Sequence, residues 1–184
     1  MRRILPFLLI VLLVGCVKTD GTGPALSLRE RLLKSNGCHF EAEVTANYGD
    51  YIYTFAMDCK TDHDGNVSFT VTEPESIQGI TGFVDAEGGK LTFDDQLLVF
   101  PLLADDQLTP VSAPWLLIRT LRNGYISAGG KEGDHYKIQM DDSYEEDPLR
   151  VDVWLNHENT PIYCDFMWNN RRFLSAKINN FEFE

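Results

Sequence analysis

The sequence predicts a mainly β (α+β) fold: about eleven short antiparallel strands in one strongly curved, half-open β-barrel, with an N-terminal helix and a mid-chain helix covering its concave face. Three observations predict it. From Cys38 onward apolar and polar residues alternate with a period of two, the signature of half-buried strands. Turn-forming pairs and triplets of Gly, Asn and Asp recur at hairpin spacing. Two segments switch to helical spacing, and an open sheet with so many strands curls instead of lying flat.

The first helix is expected over residues 24–36. Pro24 suits a first turn, Ala25, Leu28 and Leu32 fall on one face, and Asn36-Gly37 is a stop signal. A hairpin follows. Phe40, Ala42, Val44 and Ala46 alternate with polar residues, and after Tyr48-Gly49 the alternation resumes with Tyr51, Tyr53, Phe55 and Met57. If Asn47 faces Asp50, then Val44 faces Tyr53, Ala42 faces Phe55, Phe40 faces Met57 and Cys38 faces Cys59. Strands are expected over residues 67–72, 77–84, 90–93 and 96–100. The second helix is expected over residues 112–123, with Ser112 as N-cap, Pro114 in the first turn, a broad apolar face from Trp115 to Leu121, and Gly124 closing it. Strands return over residues 125–128, 136–140, 149–155, 162–168 and 173–178. A three-residue loop between the last two would pair Phe166 with Leu174.

The N-terminus carries a separate signal. Arg2 and Arg3 precede an apolar run that is shorter than the ~20 residues a bilayer span needs and has the length of a signal-peptide core. Pro6 interrupts it. The run ends in Leu13-Val14-Gly15-Cys16, which resembles the bacterial lipobox. That resemblance implies cleavage before Cys16, acyl chains of the palmitate class on its thiol, and a chain lipid-anchored to the cell membrane on its extracytoplasmic face. The expected organisation is a signal peptide over residues 1–15, a lipidated cysteine and short tether over 16–23, and a single half-barrel domain over 24–184.

The net charge is −12, and removal of Arg2 and Arg3 makes the remainder more acidic. Phosphate backbones repel such a chain, which excludes nucleic acid as a partner. Membrane contact is expected through the lipid.

Cys38 and Cys59, placed opposite each other, are the expected disulfide in an oxidising compartment, the alternative being two separate buried thiols. Cys164 lies between Ile162 and Phe166 at spacing two and is expected to be buried. The four histidines, His39, His63, His135 and His157, stand apart, and no zinc spacing occurs. Residues 62–66 superficially resemble a calcium loop, but the glycine is misplaced and a hairpin turn explains them better. The acidic run over 141–147 is expected to be a solvated loop. No nucleophile elbow or phosphate-binding glycine loop is present. An enzyme is not expected, a hydrolase being the remote alternative, and neither a cofactor nor a metal is expected.

The order of elements resembles the LolA and LolB family of lipoprotein-localisation carriers and receptors: lipobox, first helix, six strands, apolar helix, five strands. The segment Val153-Trp154-Leu155, a polar turn, Pro161, Tyr163 to Trp168, a turn and Phe173 to Ile178 looks most like it. Relatives include lipid-binding mycobacterial lipoproteins and the clostridial germination lipoprotein GerS. The resemblance implies a half-barrel with an apolar hollow and a helical lid. It implies either a hydrophobic ligand, a lipid or acyl chain, held in the hollow, or a scaffold that docks an envelope protein such as a cell-wall amidase. Alternation places Phe40, Phe55, Phe69 and Trp168 on the apolar face. With Trp115, Leu116 and Ile118 of the helix they are the expected ligand-lining residues.

Overall fold

The computed structural model describes residues 21–100, 103–104, 107–144 and 148–184. The signal peptide, Cys16 and most of the tether lie outside them, as do residues 145–147 of the acidic run. The described elements are α1 (Gly23–Lys34), β1 (Cys38–Asn47), β2 (Ile52–Thr61), β3 (Val67–Glu73), β4 (Thr81–Asp85), β5 (Gly88–Phe93), β6 (Gln96–Phe100), β7 (Leu103–Ala104), β8 (Gln107–Leu108), α2 (Ala113–Asn123), β9 (Tyr125–Glu132), β10 (His135–Asp141), β11 (Arg150–Leu155), β12 (Pro161–Trp168) and β13 (Arg171–Phe183). Eleven strands form one antiparallel sheet in the order β6-β5-β4-β3-β2-β1-β13-β12-β11-β10-β9, and β7 and β8 form a separate two-stranded ribbon. The sheet curves but does not close, leaving β6 and β9 as its edges.

The curvature has local causes. Register shifts interrupt the pairings β1–β13, β2–β3, β9–β10, β11–β12 and β12–β13. Each bulge adds a residue to one strand and bends it. The first and last strands, β1 and β13, pair at the centre of the sheet, with Ala42 opposite Ile178 and Val44 opposite Ala176.

The inner face is set by the period-two pattern. Phe40, Ala42 and Val44 of β1, Met57 and Cys59 of β2, Val151, Val153 and Leu155 of β11, and Cys164 and Phe166 of β12 are all buried. Both helices cover this face. Leu28 and Leu32 of α1 and Leu117, Ile118 and Leu121 of α2 join the same apolar cluster. Two arginines lace the helices together, each donating to a carbonyl in the last turn of the other helix. Arg29 donates to the carbonyls of Leu121 (2.8 Å) and Gly124 (2.5 Å). Arg122 donates to the carbonyls of Leu32 (2.9 Å) and His63 (2.8 Å).

Four expectations need correction. The β1–β2 hairpin is displaced by two residues: Asn47 faces Ile52, Val44 faces Phe55, and Phe40 faces Cys59. A shift of two keeps apolar residues opposite apolar residues, so alternation does not distinguish the two registers. The turn does. Gly49 takes φ +89, and Tyr48 N–H donates to the Tyr51 carbonyl at 3.0 Å, giving a two-residue turn with glycine first. In consequence the expected Cys38–Cys59 bridge is not formed; both are free, buried thiols, and Cys38 sits against the Thr61 hydroxyl at 3.3 Å. The β12–β13 pairing of Phe166 with Leu174 is as expected, but the loop has two residues, Asn169 and Asn170, both left-handed at φ 47 and 58. A bulge after Phe166 supplies the extra residue. Ser112 makes no side-chain cap; its hydroxyl is buried without a hydrogen-bond partner, and a turn of 3-10 helix (Pro110–Ser112) leads into α2.

Candidate functional site

The expected lining residues divide sharply. Phe40, Phe55, Phe69, Trp115, Leu116 and Ile118 are buried and belong to one continuous cluster, in which the sheet and both helices meet. Trp168 does not join them. It is the last residue of β12, it pairs with Arg171 at the hairpin tip, and it is 46% exposed. Its alternation is correct, but it lies beyond the reach of the covering helices.

The apolar surface lies elsewhere. Strands β4, β5 and β6 form a wing outside the helix-covered half. Phe93 is 53% exposed, Leu97 64%, Leu98 61% and Val99 65%. Leu91 pairs with Leu98 and with Gly82, so these residues share one face. That face is continuous with the inner face, because Phe69 lies over Gly82: a Cβ there would meet the ring at 2.3 Å. Phe100 covers Gly89 in the same way, at 2.0 Å. Leu97 and Val99 project from the opposite face by the pleat. β6 is thus apolar on both faces and, among the described residues, unpaired along one edge. Such an edge offers a template for a further strand.

The sequence contained a signal for this wing. Leu97-Leu98-Val99-Phe100 has no alternation, a pattern that usually marks a strand buried on both faces. Only the strand order reveals that it is an edge.

The outer face of β9–β12 carries the main polar cluster. Asp152 is buried, its side chain 3% exposed, and it takes Lys137 and Arg150 as ion-pair partners, each at 2.9 Å. Burial pushes its carboxyl up, but hydrogen bonds and charge from Arg150 and Lys137 outweigh this and hold it below the usual carboxylate range. Lys137 also lies 4.5 Å from the centre of the Trp154 ring. A hollow of about 240 Å³ opens beside it, lined by Ala128, Gly129, Gly130, Lys131, Glu132, Lys137 and Gln139. It is smaller than the ~300–1,000 Å³ of ordinary ligand pockets, and of its two lysines Lys137 is already committed to Asp152.

Among the described residues the cysteines are buried thiols. Burial pushes the Cys38 thiol up to about 11 and raises Cys59 and Cys164 further. Among the described residues no group of three or more His, Cys, Asp or Glu side chains is placed to hold a metal ion, and no helix is long and apolar enough to cross a membrane.

No protein-family model and no curated protein match the sequence. Solved structures do resemble the fold. An uncharacterized conserved protein of Thermus thermophilus superposes with TM-score 0.49 at 9% identity, covering 87% of each chain. A LolA superfamily protein of Nitrosomonas europaea gives 0.46 at 7% identity, over 87% of this chain and 93% of that one. A putative outer membrane lipoprotein-sorting protein domain of Vibrio parahaemolyticus gives 0.46 at 10% identity, over 89% and 92%. Scores below 0.5 say nothing of ligand or partner; the architecture stands on the strand order and register above. In that architecture the chain is similar to these three proteins.

Proposed function

We propose that this chain is a non-enzymatic, lipid-anchored lipoprotein of the bacterial envelope whose half-barrel docks another envelope protein through the β4–β6 wing. In this reading residues 1–15 direct export, and Cys16 carries the acyl chains on the extracytoplasmic face of the cell membrane. Residues 16–23 form the tether, and residues 24–184 form the docking domain. The observation that supports docking is the exposure of Phe93, Leu97, Leu98 and Val99 on and beside a free strand edge. An extended segment added to β6 gains main-chain hydrogen bonds from the edge and buries apolar side chains on both faces. Acids flank the strip, Asp85 and Glu87 at one end of β5 and Asp94 and Asp95 at the other, so a segment with an apolar centre and basic ends fits it.

The test compares the Cys16→Ala chain with the same chain carrying Leu97→Asp and Val99→Asp. The proposal expects the envelope protein captured by the first to be lost by the second, with the circular dichroism of both unchanged. Equal capture by both contradicts it.

A second reading is favoured by the inner side of the wing. Leu91, Phe93 and Leu98, with the rings of Phe69 and Phe100, form an apolar strip beside the helices that an acyl chain could follow. It expects a lipid to remain bound in native mass spectrometry and to be displaced by Leu98→Asp. The space between sheet and α2 supports this reading less, because the chain's own side chains pack there.

A further inference from the structure

The two ends of the central strands differ in chemistry. At one end lie the tips of the β1–β2 and β12–β13 hairpins. They are neighbours: Ala46 pairs with Leu174, and a Cβ on Gly49 would lie 3.5 Å from Arg171 Nη2. Tyr51 is 66% exposed, Ile52 64% and Tyr53 54%, and Trp168 stands on the adjoining tip. Tyr53 packs with Tyr51 and Tyr48, at ring separations of 6.4 and 6.5 Å. The charges on the tips are Asp50 against Arg171 and Arg172. At the other end of the same strands lie the turns over residues 62–66 and 156–160. They carry Asp62, Asp64 and Glu158, with Arg31 donating to the Glu158 carbonyl and Arg122 to the His63 carbonyl, and none of the large exposed apolar side chains is on either turn.

The tether bears on the same question. Gly21 lies against β9: a Cβ on Gly21 would come within 2.4 Å of the Gly129 carbonyl oxygen, and one on Gly129 within 2.2 Å of the Gly21 carbonyl oxygen. Glycine at both positions permits this approach. Register places Tyr125, the first residue of β9, level with the tips through Asp141, Arg150, Met167 and Arg172. Gly129 is four residues from Tyr125, about 13 Å along a strand. The five residues from Cys16 to Gly21 reach at most about 18 Å. Acyl chains on Cys16 can therefore enter a bilayer whose surface lies at the level of the tips.

We infer that the β1–β2 and β12–β13 tips rest on the bilayer that holds the acyl chains, with Tyr51, Tyr53 and Trp168 at headgroup depth. This rests on the lipid-anchor reading. Tyr and Trp favour that depth because one part of each side chain is apolar and the other polar. Asp141 pairs with Tyr125 and Asp142 follows it, so the contact favours uncharged headgroups over anionic ones. Resting on the tips leaves the β6 edge facing away from lipid along the side of the molecule.

The test uses the full acylated chain in phosphatidylcholine vesicles, plain or brominated at the 6,7 positions of the acyl chains. Flotation reads the anchor and tryptophan emission reads the tips. The expected result is a blue-shifted Trp168 component that the brominated lipid quenches and that Trp168→Phe abolishes. The buried Trp115 and the half-buried Trp154 on the outer face should remain unquenched. Phosphatidylglycerol vesicles should reduce the quenching. Chain that floats with equal emission in plain and brominated vesicles overturns the inference and leaves the anchor standing, and this is also the result if the tips engage a protein. Chain that does not float overturns the anchor and the inference together. Quenching that survives in a floating Cys16→Ala chain upholds the tips as a membrane contact that does not need the acyl chains.

Discussion

The helix-covered half of the sheet and the β4–β6 wing are built from the same kind of strand, yet their surfaces are opposite. In the covered half the inward residues join one apolar cluster with both helices, and Phe40, Leu117 and Phe166 are withdrawn from water. In the wing Leu97, Leu98 and Val99 are as apolar but keep most of their surface exposed. The difference lies in the position of the strands. β1 and β13 sit at the centre of the order, under α1 and α2, while β6 ends it. Apolar composition alone does not make a core; a strand needs a neighbour and a cover.

The comparison can be broken by substitution. Phe40→Ala should cost about 3–5 kcal/mol in chemical denaturation, as a large side chain removed from a packed interior does. Leu98→Ala should cost less than about 0.5 kcal/mol, as a surface change does. Similar costs at the two positions would mean that the wing is covered.

A smaller effect is expected on the outer face. Asp152→Ala leaves Lys137 and Arg150 without their shared partner and should cost about 2–3 kcal/mol. The sign with pH follows from the lowered carboxyl. Its contribution is complete above the unfolded-state value of about 3.9 and is lost as pH falls through the lower folded value. Acid denaturation should therefore show less dependence on pH below about 4 in Asp152→Asn than in the parent.

Glycines sharpen the contrast further. Gly82→Ala drives a methyl into the Phe69 ring and should destabilise by about 1–3 kcal/mol. At Gly130 an added Cβ meets nothing within 4 Å, so Gly130→Ala should be neutral or stabilise by up to about 1 kcal/mol. The smallest effect concerns the thiols. Cys38, Cys59 and Cys164 should resist a thiol reagent in the folded chain at neutral pH and all react once it is unfolded. A reagent count lower by two in the unfolded, unreduced chain would restore the Cys38–Cys59 bridge.

Much of the fold was legible in the sequence, because alternation and turn residues are local signals. The last strand pair was placed correctly through Phe166 and Leu174 although its loop length was not, since a bulge hides one residue. The β1–β2 register was not legible. Registers two residues apart bury the same side chains, and the choice rests on the backbone of Gly49. The candidate site was the least legible part. Phe40 and Trp115 were rightly placed on the inner face, but whether a face meets its own helices or the outside depends on strand order. Leu97 to Phe100 was read as a strand, but its place at the edge was not legible for the same reason. Strand order is a long-range property that no local pattern encodes.

Hydrogen exchange followed by mass spectrometry tests the contrast most directly. The prediction is slow exchange in β1, β12 and β13, near the rate of global unfolding, and exchange faster by orders of magnitude at the outward amides of β6. Protection of β6 equal to that of β1 would show a covered edge and contradict the docking surface proposed for it.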